Sequence, residues 1–183
     1  MGNYEFEISY PEVLNLSDKQ VADKIKNIIE ERFSLKDESI GTEGEDEEDF
    51  KQTLTVTYEI TQKSNDILSI KILSSNFMEG AAHPSNYLDG ITFDMKTGEL
   101  ITLEHLFKED GNYISALNEI LNKKVDELEF KLFDEYKGIE EEQGYYLTDS
   151  RIVIFYQEGE YTPYAAGALL LEVEFEEIND ILK

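Results

Sequence analysis

Few side chains in this sequence have the type and spacing that catalysis requires. The 183 residues contain no cysteine and two histidines, His83 and His105. Without cysteine, thiolate nucleophiles, disulfides and zinc–thiolate sites are excluded, and the two histidines do not form the i,i+4 pair of a helical zinc site. His105 lies in a short amphipathic turn, where a packing or capping role is expected. From the residues alone we predict no catalytic side chains, no metal site and no cofactor.

Two short stretches look like the metal-binding signatures of polysaccharide deacetylases. They are His83-Pro84 and the segment Thr-Phe-Asp-Met at 92–95. In that family two aspartates precede a glycine, and a second histidine lies on the turn before the His-Pro pair. This chain has Met95 and Glu79 in those places and carries the two motifs in the wrong order. Because carboxylates alone do not create the required metal geometry, the catalytic interpretation is disfavoured.

The charge balance indicates the kind of partner. Asp and Glu number 41 against 16 Lys and Arg, which gives a formal net charge of -25. Nucleic acids and anionic membrane surfaces are bound through clustered Lys and Arg, so we expect neither as a partner. The same field attracts cationic proteins and metal ions and favours a monomer. No stretch approaches the ~20 apolar residues that span a bilayer, so no membrane insertion by this chain is expected.

The acidic run at 43–49 raises the question of a calcium loop. Its sequence is Glu-Gly-Glu-Asp-Glu-Glu-Asp. It lacks the spaced Asp or Asn ligands and the fixed glycine of a helical calcium loop. Blocks of like charge repel themselves and stay solvated, so we predict a solvated loop.

The elements that must position any site are runs of antiparallel-type strands with segregated helices, without regular strand–helix alternation. In the N-terminal half, period-two alternation predicts a strand over 4–9, a hairpin over 54–60 and 68–72, and a strand over 87–95. Ser17 with Gln20 predicts a capping box that starts a helix of about four turns. The apolar stripe of that helix is Val21, Ile25, Ile28, Ile29 and Phe33.

In the C-terminal half, the spacing of apolar residues predicts a second helix and two strands. Apolar residues at helical spacing run from near Asn112 to Leu132 and predict a helix that continues until Gly138. The apolar runs at 152–156 and 168–175 predict central strands buried on both faces, and 176–182 predicts a short C-terminal helix. The fold class is therefore α+β, with antiparallel sheets, two main helices packed on them and a short C-terminal helix. We expect a smaller N-terminal module over 1–75 packed on a C-terminal domain over 76–183 as one compact unit.

Two loops of small and aromatic residues are the candidate binding sites. The first presents His83, Pro84 and Ser85, and the second, over 158–167, presents Tyr161, Pro163 and Tyr164. Tyrosines around a proline supply rigid amphipathic contact surface at small entropic cost. The structural alternative is that at least one ring packs as a tyrosine corner or at a strand end. We predict that both loops stand exposed at the rim of a negatively charged scaffold.

These segments also resemble a known family. The stretches 80–84, 93–98 leading into 103–107, and 161–167 resemble an extracytoplasmic domain of unknown function. That domain occurs in the lysozyme-sensing anti-sigma-V factor and in the N-terminal region of some membrane-anchored peptidoglycan deacetylases. The resemblance covers about residues 76–183. The stretch before it resembles the smaller module that usually precedes this domain.

The resemblance implies an α+β fold, an extracytoplasmic location and a non-catalytic role. The sequence starts without an apolar leader, so an extracytoplasmic chain would be secreted or anchored through a leader absent from it. In the anti-sigma member the domain binds lysozyme. We therefore expect a binding module for a cationic lysozyme-like protein or for peptidoglycan. The alternatives are an envelope glycan hydrolase using acids such as Asp94 and Glu160, and a cytoplasmic acidic interaction protein.

Overall fold

A computed structural model describes residues 3–14, 16–38, 51–64, 66–109 and 112–183 of the chain. The strands are β1 (Asn3–Ile8), β2 (Lys51–Lys63), β3 (Ile67–Met78), β4 (Ser85–Asp94), β5 (Tyr145–Leu147), β6 (Arg151–Tyr156) and β7 (Leu169–Glu174). The helices are α1 (Lys19–Glu38) and α2 (Tyr113–Asp126), with 3₁₀ turns at Glu104–Leu106, Tyr164–Ala166 and Phe175–Glu177. The acidic run at 43–49 lies outside the described residues.

The strands form two sheets. Sheet 1 has the order β1-β2-β3-β4 and sheet 2 the order β5-β6-β7. All neighbouring pairs are antiparallel except β1 and β2, which are parallel. The α+β class is confirmed. The parallel pair was not anticipated, because the alternation of a short strand is the same in either direction, and the crossover through α1 determines its orientation.

The two helices lie on the outer faces of two stacked sheets. Helix α1 packs on sheet 1 through the predicted stripe, where Ile25 and Ile29 are buried with Ile70 and Ile72 of β3. Helix α2 packs on one face of sheet 2, a contact represented by Leu117. The opposite face of sheet 2 meets sheet 1 in a small apolar cluster of Leu88, Tyr146, Val153 and Phe155. The order of layers is therefore α1, sheet 1, sheet 2, α2.

The contact between the sheets depends on a close backbone approach. A Cβ atom built on Gly90 would lie 1.9 Å from the carbonyl oxygen of Tyr145, so only glycine fits there. Beside it, the buried hydroxyls of Ser69 and Thr92 are 2.9 Å apart. The Leu147 N–H donates to Ser69 Oγ at 2.9 Å. These bonds satisfy polar groups that would otherwise be left unpaired between the layers.

Three local predictions are corrected by the structure. The cap of α1 is Asp18 rather than Ser17, because Asp18 Oδ1 accepts from the N–H groups of Gln20 (2.8 Å) and Val21 (3.3 Å). Helix α2 ends at Asp126 instead of continuing to Gly138, although Leu128 and Leu132 still pack on the core as parts of an irregular segment. The predicted C-terminal helix is a single 3₁₀ turn, Phe175–Glu177.

The prediction for the last two strands was right for one and wrong for the other. Strand β6 is central in its sheet and is buried on both faces. Strand β7 is an edge strand whose residues alternate between buried and exposed, with Leu170 exposed. An apolar run of this length fits either position, and only the pairing of the sheet distinguishes them.

Sheet 1 continues beyond the boundary expected between the two modules. The position 75/76 lies inside β3, and β4 pairs with β3 along its length.

Among the described residues, no helix has the length and apolar character needed to cross a membrane.

Candidate functional site

The first candidate loop joins β3 to β4 and exposes His83. The turn before it is closed by the Ala81 N–H, which donates to the Met78 carbonyl at 2.9 Å. His83 is exposed, Pro84 half-buried and Ser85 exposed. The His83 Nδ1–H donates to the Pro84 carbonyl oxygen at 2.9 Å. This bond holds the ring in place, and Nε2 of the neutral ring is then the acceptor nitrogen.

The second candidate loop joins β6 to β7 and is held by its own hydrogen bonds. Thr162 Oγ1 donates to the Gly167 carbonyl at 2.5 Å, and the Gly159 N–H donates to the Thr162 carbonyl at 2.9 Å. A Cβ on Gly159 would lie 2.9 Å from the ring of Tyr164, so this ring packs directly on the glycine. Pro163 is exposed and begins the 3₁₀ turn that carries Tyr164.

The two loops meet at His83 and Tyr164. Their rings stack with centroids 5.3 Å apart and planes 25° apart. Tyr164 remains 55% exposed, so the stacked pair presents aromatic surface to solvent. The structure therefore joins residues of the two predicted loops into one surface, which we call the His83–Tyr164 surface.

Side chains of the second loop bind the edge of β4 next to this surface. The Glu158 carboxylate accepts from the Asn86 N–H at 2.5 Å and from Asn86 Nδ2 at 2.9 Å. The Gln157 amide accepts from the Leu88 N–H at 2.9 Å and donates to the Leu88 carbonyl at 2.8 Å. Gln157 thus bonds β4 as a neighbouring strand would, and together with Glu158 it fixes one loop against the other.

Tyr161 has a different position from Tyr164. It is 6% exposed and packs against Tyr136 and Tyr156, with ring centroids 5.6 and 5.0 Å away. Its hydroxyl accepts from the Lys137 N–H at 3.3 Å. Tyr161 therefore anchors the base of the loop in the core. The prediction that Tyr161 stands exposed as a binding residue is wrong, and the structural alternative, packing of one of the two rings, holds for it.

The hydroxyls of Tyr136 and Tyr156 form a buried chain below Tyr161. Tyr156 donates to the Gly138 carbonyl at 3.0 Å and accepts from the Tyr136 hydroxyl at 2.7 Å. Burial, which disfavours the phenolate, raises the pKa of Tyr136 to about 12 and also raises that of Tyr156. These hydroxyls therefore stay protonated and act as structural donors.

The sequence reasoning missed an exposed aromatic residue beside the second loop. The Phe133 N–H donates to the Tyr161 carbonyl at 3.0 Å, and the Phe133 side chain is 60% exposed. It was assigned to the predicted extension of α2, where a phenylalanine off the apolar stripe carries no signal. The end of α2 at Asp126 places it instead in an irregular segment next to the loop.

A polar cleft of about 740 Å³ lies on the other side of the same loop. Tyr156 and Tyr161 form part of its wall. Its acidic lining residues are Asp89, Asp134, Glu140, Glu142 and Glu160, and its basic ones are Arg32 and Lys137. Arg32 Nη1 lies 3.3 Å from Asp89 Oδ2, so that pair is already formed. The surroundings of the loop are therefore acidic.

The two acids considered for hydrolysis do not form a pair. Asp94 ends β4, where its Oδ1 accepts from the N–H groups of Lys96 and Thr97. Glu160 lies in the loop that is bound to the start of β4, and its Oε2 accepts from the Gln157 N–H. In the part of the chain that the structure describes, no three His, Cys, Asp or Glu side chains are grouped to hold a metal ion.

His105 has a local role. Its Nδ1 lies 3.0 Å from Thr102 Oγ1 and accepts from the Thr102 N–H at 3.4 Å. The bond lies just before the 3₁₀ turn of Glu104–Leu106, which is closed by its own backbone hydrogen bonds. His105 is thus part of a local hydrogen bond and not the cap of the turn.

The chain matches two family models and is similar to solved structures. Residues 2–86 match the family described as deacetylase PdaC, and residues 104–176 match a family of unknown function, DUF3298. A DUF3298 member from Bacteroides fragilis NCTC 9343 is 18% identical with a TM-score of 0.56, over 90% of this chain and 64% of that protein. A DUF3298 protein from Pseudomonas aeruginosa PAO1 is 16% identical with a TM-score of 0.52. The match covers 85% of this chain and 69% of that protein. No curated protein matches the chain.

At these identities the solved structures show a shared fold, and this chain spans 64% of the length of the Bacteroides protein. The resemblance inferred from the loop motifs is confirmed at the level of these two families. The chain is therefore similar to the PdaC family over residues 2–86 and to the DUF3298 family over residues 104–176.

Proposed function

We propose that this protein is an extracytoplasmic binding or sensing module that recognises a cationic, lysozyme-like protein through the His83–Tyr164 surface. The observation that carries the proposal is the stacking of two solvent-accessible rings from separate loops. An exposed aromatic pair of this kind gives a partner a large contact area at low entropic cost.

Hydrogen bonds between the two loops order the His83–Tyr164 surface. The Glu158–Asn86 and Gln157–Leu88 hydrogen bonds lie next to it and join the two loops. A site whose loops are already ordered loses little conformational entropy on binding. Rigid presentation therefore favours recognition of a folded protein.

The charge around the surface supports a cationic partner. The net charge is -25, and Glu158 and Glu160 lie in the second loop itself. An acidic field raises the association rate of a basic protein and fades as salt is added. The resemblance to the ectodomain of the anti-sigma-V factor supports both the partner and the location outside the cytoplasm.

Titration with lysozyme tests the proposal. We expect saturable binding at low salt that weakens as salt is raised, and a loss of affinity of about 10-fold or more in Tyr164→Ala. The matched control is Tyr58→Ala, because Tyr58 is an exposed tyrosine on β2, away from both loops. No binding at low salt, or an equal loss in the two variants, would reject the proposal.

A cell-wall glycan is the second candidate, and the polar cleft favours it. Sugars are bound by tyrosine rings and carboxylates, and the cleft has both around a volume of about 740 Å³. Titration with soluble peptidoglycan fragments separates the two ligands. Binding that is lost in Glu140→Gln and Glu142→Gln but retained in Tyr164→Ala would assign the glycan to the cleft.

A further inference from the structure

A second cavity, of about 660 Å³, lies at the other end of β4 from the His83–Tyr164 surface. Strand β4 begins at Ser85, beside His83, and ends at Asp94, which lines the cavity. Ten residues of strand span about 30 Å, so the two places are well separated. The volume lies within the range of about 300–1,000 Å³ that is typical of small-molecule sites.

The walls of this cavity are mainly apolar and come from both sheets. Leu100 belongs to the core of sheet 1, while Leu147 and Leu106 belong to the core of sheet 2. The C-terminal segment closes one side, where Leu182 pairs with Phe107 and the Lys183 N–H donates to the Leu106 carbonyl at 3.0 Å. The cavity is thus the gap between two hydrophobic cores, with walls held by backbone hydrogen bonds.

Two lining side chains offer hydrogen-bonding atoms to a ligand, one an acceptor and one a donor. Gln62 Oε1 is buried and accepts no hydrogen bond from the described residues. A buried acceptor without a donor is unfavourable, so a ligand that donates to it is favoured. His105 Nδ1 accepts from the Thr102 N–H, so the neutral ring carries its proton on Nε2 and offers it as a donor. A hydroxyl group matches each of these atoms chemically, because it both donates and accepts.

The charges around the cavity disfavour an anion. Two carboxylates, Asp94 and Glu99, line it together with one ammonium group, Lys183. Glu99 already forms an ion pair with Lys24, and Asp94 is bonded to backbone N–H groups. The overall charge of -25 adds a field that repels negative ligands.

We propose that this cavity between the two cores is a binding site for a small neutral amphiphile, with a linear or single-ring apolar body and a hydroxyl head that bonds Gln62 and His105. The site is independent of the proposed recognition of a cationic protein. It uses residues from both sheets, so its occupation stabilises the contact between them.

A pair of ligands with the same tail and different heads tests this proposal. In ¹H–¹⁵N spectra of the full chain, 1-octanol is expected to shift the amide signals of residues 62, 67, 100–106 and 182–183. Octanoate is expected to bind at least about 10-fold more weakly. Absence of shifts with octanol, shifts elsewhere in the chain, or equal affinity for octanoate would overturn the proposal.

Variants of the lining residues sharpen the test. Leu182→Trp and Leu100→Phe fill the cavity and are expected to weaken octanol binding about 10-fold, whereas Leu170→Trp, on the exposed edge strand β7, leaves it unchanged. Gln62→Leu removes the acceptor and is expected to weaken octanol binding about 2- to 10-fold without affecting octanoate. Thermal unfolding checks that each variant is folded. Octanol binding that survives both filling variants would place the ligand elsewhere.

Discussion

His83 and Tyr164 are stacked at 5.3 Å although they belong to loops of different sheets. His83 follows β3 of sheet 1, and Tyr164 follows β6 of sheet 2. The pair can exist only while the two sheets are docked. The surface proposed for recognition is therefore sensitive to anything that separates the layers.

The Glu158–Asn86 bonds are expected to hold the two loops together. Glu158→Ala removes both acceptors of Asn86 and leaves its partly buried N–H unpaired, so we predict a loss of about 1–3 kcal/mol in the free energy of unfolding. We also predict faster hydrogen exchange at 80–86 and weaker lysozyme binding. Glu31→Ala, at an exposed position of α1, is the control. Unchanged exchange in Glu158→Ala would show that the bonds do not order the loop.

The approach of the two sheets at Gly90 leaves no space for a side chain. In Gly90→Ala the new Cβ would lie 1.9 Å from the Tyr145 carbonyl oxygen, so the sheets must separate. We predict destabilisation of more than about 3 kcal/mol by urea denaturation. In Gly80→Ala no atom lies within 4 Å of the new Cβ, and the only penalty comes from the positive φ of 90° at this position. We expect this variant to lose about 1 kcal/mol in the free energy of unfolding. Equal losses in the two variants would contradict the packing argument.

The buried tyrosine hydroxyls predict loss of stability at alkaline pH. Burial raises the pKa of Tyr136 to about 12, whereas an unfolded tyrosine titrates near 10. Because the folded state binds this proton more tightly, the contribution is complete below about pH 10 and is lost as the pH rises towards 12. Urea denaturation from pH 8.5 to 12 should show a smaller decline in Tyr136→Phe than in the unmodified protein. Parallel declines would exclude Tyr136 as a source.

The start of α1 distinguishes two adjacent candidate caps. Asp18 accepts from the Gln20 and Val21 N–H groups, so Asp18→Ala is expected to cost about 1 kcal/mol. Ser17→Ala should change the free energy of unfolding by less than about 0.5 kcal/mol, because Ser17 is exposed and precedes the cap. The reverse ranking in thermal or urea unfolding would restore Ser17 as the cap.

Local sequence patterns predicted some elements correctly and misplaced others. Alternation correctly predicted the β2–β3 hairpin, and helical spacing correctly predicted the buried stripe of α1, since each pattern records which face of a segment is buried. The same reasoning extended α2 past Asp126, because Leu128 and Leu132 are apolar for a reason other than helical packing. It also assigned β7 to the centre of a sheet, because a run of apolar residues does not reveal how many neighbours a strand has.

The sequence by itself determined the acidic field, the lack of thiol chemistry, the α+β class and the choice of two loops rich in small and aromatic residues. These properties depend on composition and on contacts close along the chain. Only the tertiary structure decided that the loops meet, that Tyr164 is exposed while Tyr161 is buried, and that β1 pairs in parallel. Each of these depends on contacts between residues that are distant in the sequence, such as Gly90 and Tyr145 at the contact of the two sheets. Contacts of this kind produce no periodic pattern in the sequence.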